Sequence, residues 1–318
     1  MCRTNVSTVV PPRHPTRLDG HQIQHDDARR VGVLHGPKGS SSARDNTSSK
    51  ARHDSICFPY SEIGGAPALI VSPHHPRFLS LATRERLEKA MRAGIVVPQG
   101  LIAHGRGEAF DYILGEETLP AASAATSAAA ALLLTAKHPV VSVNGNTAAL
   151  AGREIVNLSL AISAPIEVNL FHRTRRRERL IAAYLKRLGS EEVLGIGEAA
   201  SNAIRGIASQ RRRTDPRGIG QADVVLIPLE DGDRAEALSR DGKKVIAIDL
   251  NPLSRTSRAA SVSIVDNVIR AIPALTDAYN KMKKMPRDRL ERLASEFDNQ
   301  RNLAKAIQEM IQYLRGWA

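Results

Sequence analysis

From residue 139 onward, short apolar runs alternate with segments of helical periodicity. The strand-like runs are 139–143, 166–170, 192–194, 223–227, 244–248 and 262–265, and the clearest helical patterns are 175–188, 233–240 and 268–284. Near-continuous β-branched runs belong to strands buried on both faces, and strands separated by helices pair in parallel. The pattern therefore predicts an α/β fold: a Rossmann-like, largely parallel sheet with helices on both faces. Ahead of it, Leu79, Leu81, Leu87 and Met91 recur near helical spacing, with Gly94 placed as a stop. Residues 118–137 read as an alanine-dominated helix, and the chain after Pro286 as one or two amphipathic helices.

Residues 1–68 differ in kind. They are rich in Ser, Pro, Arg, Asp and His, without a sustained period of two or 3.6 residues. The expected organisation is a disordered N-terminal extension (1–68), a ligand-binding core (69–285) and a C-terminal helical segment packed on that core (286–318). Seven of the ten histidines lie in the first 75 residues, scattered without ligand-type pairing, so no metal ligand is assigned. Gly36-Pro-Lys-Gly-Ser-Ser-Ser42 lacks the spacing and the flanking strand and helix of a phosphate loop.

Composition narrows the class. Aromatics make up only 3% of the 318 residues, so the core must be aliphatic. The two cysteines, Cys2 and Cys57, both fall in the N-terminal tail, which excludes a Cys-based zinc site. No run approaches the roughly 20 apolar residues that span a bilayer, and the N-terminus lacks a signal-like apolar stretch. A soluble, cytoplasmic protein without a membrane partner is expected. The net charge of +12 fits nucleic acid or a phosphorylated small molecule. With few aromatics for base stacking, and arginines set beside Asn- and Gly-rich segments, the small molecule is preferred and no nucleic-acid partner is expected.

Open parallel sheets bind ligands beyond the carboxyl ends of their strands. Asn144, Asn146, Asn169, Arg173, Glu230, Asp231, Asp249 and Asn251 all follow predicted strand ends. The stretch Gly100-Leu-Ile-Ala-His-Gly-Arg-Gly-Glu-Ala-Phe-Asp-Tyr112 reads as a pliable glycine loop. It is either a surface turn or a site for an anion, with His104, Arg106, Glu108 and Asp111 as its chemical groups. In Ile248-Asp-Leu-Asn-Pro-Leu-Ser-Arg-Thr-Ser257, Asp249 can hold a ribose or base edge, and Ser254, Arg255 and Thr256 can donate to phosphate; the alternative is a plain polar turn. Asp266 and Asn267 end the next strand. The run Arg211, Arg212, Arg213 is either a phosphate clamp or a solvated loop, and Arg175-Arg-Arg177 opens a helix where positive charge is unfavourable. Neither a G-x-G-x-x-G after the first strand nor a P-loop, H-E-x-x-H or G-x-S-x-G motif is present.

The 100–112 string, with Val141-Ser-Val-Asn-Gly-Asn146, Ile166-Glu-Val-Asn-Leu-Phe171, Val225-Leu-Ile-Pro-Leu-Glu-Asp-Gly-Asp-Arg234 and Ile248-Asp-Leu-Asn-Pro-Leu-Ser-Arg-Thr256, resembles the archaeal phosphopantothenate synthetases, the 4-phosphopantoate–β-alanine ligases of coenzyme A biosynthesis. The resemblance runs from about Pro76 to the C-terminus. It implies a homodimer with a Rossmann-like core that uses ATP and Mg²⁺ to activate 4-phosphopantoate as an acyl-adenylate. AMP and pyrophosphate leave, and β-alanine takes up the acyl group. By motif, it places ATP contacts on Arg84, Arg106, Asp249, Leu250, Asn251, Arg255, Thr256, Asp266 and Asn267. Within that frame Arg106 is the expected electrostatic catalyst. His104, Glu108 or Asp111 would accept the proton of β-alanine, while Asn144, Asn146, Asn169, Arg173 and Arg211 to Arg213 would hold phosphopantoate. The competing expectations are an ADP-forming kinase or ligase for another phosphorylated acid, a basic nucleic-acid binder, and a structural dimer with a degenerate site.

Overall fold

The structure, a computed structural model, describes Ser72, His74, His75 and residues 77–317. The N-terminal tail assigned to 1–68 lies outside the described residues. In chain order the strands are β1 (Pro139–Val143), β2 (Ile166–Val168), β3 (Val193–Leu194), β4 (Asn202–Ala203), β5 (Arg213–Thr214), β6 (Val224–Pro228), β7 (Lys244–Ile248) and β8 (Val262–Ile264). β4 and β5 form a separate antiparallel ladder. The other six make one parallel sheet in the order β3-β2-β1-β6-β7-β8. Chain direction across the sheet reverses between β1 and β6, so these two neighbours diverge at their carboxyl ends into helices on opposite faces. That is the crevice in which doubly wound sheets bind ligands.

The helices are α1 (Phe78–Arg92), α2 (Pro98–Ile113), α3 (Pro120–Thr135), α4 (Gly145–Ala161), α5 (Arg175–Arg187), α6 (Gly232–Arg240), α7 (Arg255–Ala259), α8 (Val268–Met282), α9 (Arg287–Ser295) and α10 (Asn299–Arg315). Strand alternation divides the core into two layers. Val141, Val143, Ile166, Val168, Leu226 and Ile248 meet α3, α4, α5 and α8 on one face. Val140, Val225, Ile227, Val245 and Ala247 meet Ala235 and Leu238 of α6 and the 204–222 connection on the other. Complete burial of a Leu or Ile side chain contributes about 1.5–3 kcal/mol, so this aliphatic double layer replaces the missing aromatics. The alanines of α3 are almost all buried, and small side chains let it lie close to α8 and α9. Leu303, Ala306 and Met310 of α10 join Leu114, Ala121, Leu250 and Val265, which ties the C-terminal segment to the strand end after β7.

One local expectation is corrected. Residues 100–112 are not a loop but most of α2, which starts with Pro98 at its first turn. Proline is pre-organised there, because its missing N–H would have had no helical partner. Each glycine costs a helix about 1 kcal/mol relative to alanine, and the packing of Leu101 and Phe110 offsets that cost. At Gly100 the reason for glycine is proximity. A Cβ there would lie 2.2 Å from Asn146 Oδ1, and Asn146 Nδ2 donates to the Gly100 carbonyl at 2.7 Å. The absent side chain therefore lets α2 dock against the start of α4. Among the described residues no helix is long and apolar enough to cross a membrane.

Candidate active site

Beyond the carboxyl ends of β1, β6 and β7 opens a cleft of about 660 Å³, roofed by α2. At its base Asn144 caps α4, its Oδ1 accepting from the Thr147 N–H at 3.0 Å and its Nδ2 donating to the Leu229 carbonyl at 2.8 Å. Leu229 has φ of 53°, a left-handed conformation rare for a side chain of this kind, and the Asn144 contact helps hold it. The two diverging strand ends are thus stitched together by one asparagine.

The third strand end supplies a polar turn. Ser254 caps α7, and its hydroxyl also donates to the Asp249 carboxylate, which accepts the Asn251 N–H as well. Burial pushes the Asp249 carboxyl above its usual range, while the Ser254 and Asn251 hydrogen bonds and the nearby Arg106 oppose the shift. Leu250, Asn251, Ser254, Arg255, Thr256 and Asn267 line this side of the cleft. Arg255 is turned onto Glu236 in a two-pronged pair of 2.9 and 2.8 Å.

Arg106, Arg177 and Arg211 converge on the cleft from three separate elements. Arg106 is exposed on α2. Arg177 donates to the carbonyls of Ile95 at 2.9 Å and His172 at 2.6 Å, and its buried Nε lacks a partner. Burial, reinforced by the Arg211 charge, pulls its guanidinium below the usual value. Arg211 is nearly enclosed, pairs with Glu230 and Asp231, and stacks over Phe171 at 5.7 Å, yet its Nε too is left without an acceptor. Glu230 is consumed by this network: its second oxygen meets the fully buried Arg234 at 2.6 Å. Buried guanidinium N–H groups without acceptors are costly, and cations gathered in a cleft suit it to receiving an anion.

The structure separates the expected site residues. His104, Arg106, Glu108, Asn144, Asn146, Arg211, Asp249, Leu250, Asn251, Arg255, Thr256 and Asn267 all line the cleft. Arg84 and Asp266 do not; Arg84 pairs with Glu108, and Asp266 with Arg270 and Thr118. Asp111 is buried behind the cleft, where it accepts from Asn267 Nδ2 at 2.7 Å and from Arg270. Asn169 gives its amide to the Arg211 and Arg213 carbonyls, and Arg173 is enclosed with Glu178. Arg213 binds the Ala200 and Gly197 carbonyls, and Arg212 faces solvent. Arg177, not singled out from its run, is an additional cleft cation. Its signal was the unfavourable positive charge at the start of α5. Among the described residues no group of three or more His, Cys, Asp or Glu is placed to hold a metal.

Of the possible proton acceptors, Glu108 is engaged by Arg84, Ser80 and Tyr112. Burial raises its carboxyl, but the Arg84 and Ser80 hydrogen bonds outweigh that and leave it below the usual range. His104 keeps a buried Nε2 without a partner, and burial lowers its imidazole below the usual value. A neutral ring is therefore present at pH 7. An NMR titration of His104 is expected to give a midpoint below the ordinary imidazole value; a midpoint above neutrality would mean that the ring is mostly charged at pH 7.

Residues 121–313 match the family described as phosphopantothenate/pantothenate synthetase. A curated protein of Thermococcus kodakarensis named 4-phosphopantoate--beta-alanine ligase is 48% identical over 234 residues, covering 73% of this chain and 89% of that protein. Its namesakes are 50% identical in Thermococcus onnurineus, over 76% of this chain and 90% of that protein, and 49% identical in Methanosarcina mazei, over 77% and 96%. The extent and level of these matches, over the elements that build the cleft, place the chain in the phosphopantothenate/pantothenate synthetase family.

Proposed function

We propose that the chain is an ATP-dependent ligase joining 4-phosphopantoate to β-alanine, forming 4-phosphopantothenate in coenzyme A biosynthesis. The observation that carries this reading is the convergence of Arg106, Arg177 and Arg211 with the Asp249–Thr256 turn in one strand-end cleft. Two polyanions must meet there, and such a site needs preorganised cations. ATP occupies the β7 side, against Asp249, Leu250, Asn251, Arg255, Thr256 and Asn267, with Asp266 fixing Asn267 through its backbone N–H. Arg84 joins it after leaving Glu108. The phosphate of pantoate occupies the β1–β6 side, against Asn144, Asn146, Arg177 and Arg211.

The pantoate carboxylate attacks the α-phosphorus of ATP, the bond to the β-phosphate breaks, and pyrophosphate leaves. Arg106 offsets the repulsion between carboxylate and phosphate. The amine of β-alanine then attacks the acyl carbon and AMP departs, with neutral His104 receiving the ammonium proton. Asn169, Arg173 and Arg213 serve by fixing backbone, and Arg212 contributes charge. Mg²⁺ bound with ATP would neutralise phosphate charge, and Asp231, half-exposed in the cleft and paired through one oxygen with Arg211, would be the carboxylate to hold it. The enzyme works as a cytoplasmic homodimer, with 69–285 as its catalytic core and 286–318 as a packed helical segment.

The test is an assay with MgATP, 4-phosphopantoate and β-alanine that follows AMP, ADP and pyrophosphate separately. AMP and pyrophosphate are expected in equal amounts, and only when all three substrates are present. ADP with phosphate would overturn the adenylate route, and no turnover with this acid would overturn the substrate assignment.

A further inference from the structure

β2 lies between β1 and β3, yet its sequence puts two polar residues among apolar ones. Ile166, Val168 and Leu170 enter the core on one face, and Glu167 and Asn169, both fully buried, point to the other. A lone buried carboxylate costs several kcal/mol, and the proposed chemistry makes no use of Glu167, which does not line the cleft. Its surroundings are nevertheless built for it. Glu167 Oε1 accepts from the Asp215 N–H at 3.2 Å and Oε2 from the Ile219 N–H at 2.7 Å. A Cβ on Gly218 would stand 2.2 Å from Oε2, and one on Gly195, at φ +78°, would stand 2.8 Å from Glu167 Cγ. Two residues along the same face, Asn169 Nδ2 donates to the carbonyls of Arg211 and Arg213. One strand face therefore grips both ends of the 211–219 segment, and Arg211 carries its guanidinium from that segment into the cleft.

We infer that Glu167 is a positioning residue whose carboxylate straps the 211–219 segment to β2 and so sets Arg211 for the phosphorylated acid. The role of Arg211 toward that acid rests on the proposed ligase reading; the strap itself does not. The carboxylate is faced by Arg234 from α6, by Asp215 with its partner Arg217, and by Arg173 from the β2–α5 connection. Burial pushes the Glu167 carboxyl up to about 7, against the pull of the Ile219 N–H, Arg234 and the Asp215 N–H. Both oxygens accept only in the ionised form, so the strap loosens as pH falls through that value. Stability moves the other way. A carboxyl whose folded value exceeds its unfolded one stabilises the fold most below the unfolded value, and this contribution is lost as pH rises through the folded one. Simple acid unfolding would move activity and stability together.

The test compares the wild-type enzyme with Glu167→Gln, an isosteric change whose amide group faces one of the two N–H donors. Protection of the Asp215 and Ile219 amides, measured as exchange relative to the intrinsic rate at each pH, is expected to fall in the variant at pH 8, and in the wild type as pH falls from 8 to 6. KM for the phosphorylated acid is expected to rise about tenfold, a loss on the scale of one charge-assisted hydrogen bond, with KM for ATP within about twofold. The acid-side decline in kcat/KM expected of the wild type should be absent from the variant. Gly218→Ala, which displaces the carboxylate without removing it, is expected to act in the same direction and guards against misfolding of the first variant. Unchanged exchange at Asp215 and Ile219 in both variants would overturn the strap. Faster exchange with an unchanged KM for the acid would overturn its link to Arg211. If the wild type does not turn over the acid at all, the ligase reading fails and the exchange measurement still decides the strap.

Discussion

Replacing Arg106 by alanine is expected to lower kcat/KM by about 10²–10³-fold, the usual cost of deleting one preorganised group that stabilises developing charge, and to leave the melting temperature unchanged. The two halves of this expectation come from one placement. Arg106 is exposed on α2, and among the described residues it makes no hydrogen bond or ion pair, only a long-range attraction to Asp249. Exposed substitutions of this kind change stability by less than about 0.5 kcal/mol. Arg106→Lys should recover only part of the rate, because a lysine keeps the charge and loses the planar fork. The measurement is steady-state kinetics in all three substrates beside a thermal melt. Undiminished kcat/KM would remove Arg106 from the chemistry, and a fall in melting temperature would make its role structural.

The sheet was legible because each strand is a short aliphatic run separated from the next by helical periodicity, and six of these runs became the six parallel strands. What escaped was decided by contacts rather than by pattern. Glycines made 100–112 look like a loop, whereas Pro98 and the close approach of Gly100 to α4 make it a helix. The β4–β5 ladder has only two residues per strand, too few for any period to register. In the site, a position just after a strand end identified polar residues correctly but could not tell a side chain that enters the cleft from one that holds backbone beneath it. Asn144 and Asn169 have the same residue type and the same place after their strands. Asn144 lines the cleft although its amide also holds the Thr147 N–H and the Leu229 carbonyl, while Asn169 lies outside the cleft and is spent on the Arg211 and Arg213 carbonyls. Among the arginines, Arg177 and Arg211 reach the cleft, whereas Arg173 and Arg213 turn inward to Glu178 and to backbone carbonyls. Within such a run, orientation depends on which acceptor lies nearest in the fold, and no local pattern encodes that.

Removing the Glu230 carboxylate is expected to be the most destabilising single change near the site. Glu230 is buried between Arg211 and Arg234, taking one guanidinium on each oxygen, and Arg234 has no exposed surface and donates also to Ser142. Burial already pulls the Arg234 guanidinium down to about 10 and the Arg211 guanidinium below its usual value. Glu230→Ala leaves both cations without their shared anion, and breaking a buried pair from one side costs about 3–5 kcal/mol. For a folded unit of this size that corresponds to a fall of roughly 10 °C in melting temperature. Thermal and urea unfolding check it, and a fall of less than about 2 °C would mean that the network contributes little. The contrasting construction is the triple replacement Arg211→Met, Glu230→Leu, Arg234→Met. Replacing a whole buried ionic cluster by apolar side chains of similar volume is often neutral or stabilising, so most of the lost stability should return. Activity should not return, since Arg211 would be gone from the cleft. If the triple variant regained both, the network would be a packing device alone; regained stability without turnover would show that its charges are kept for the substrate they face.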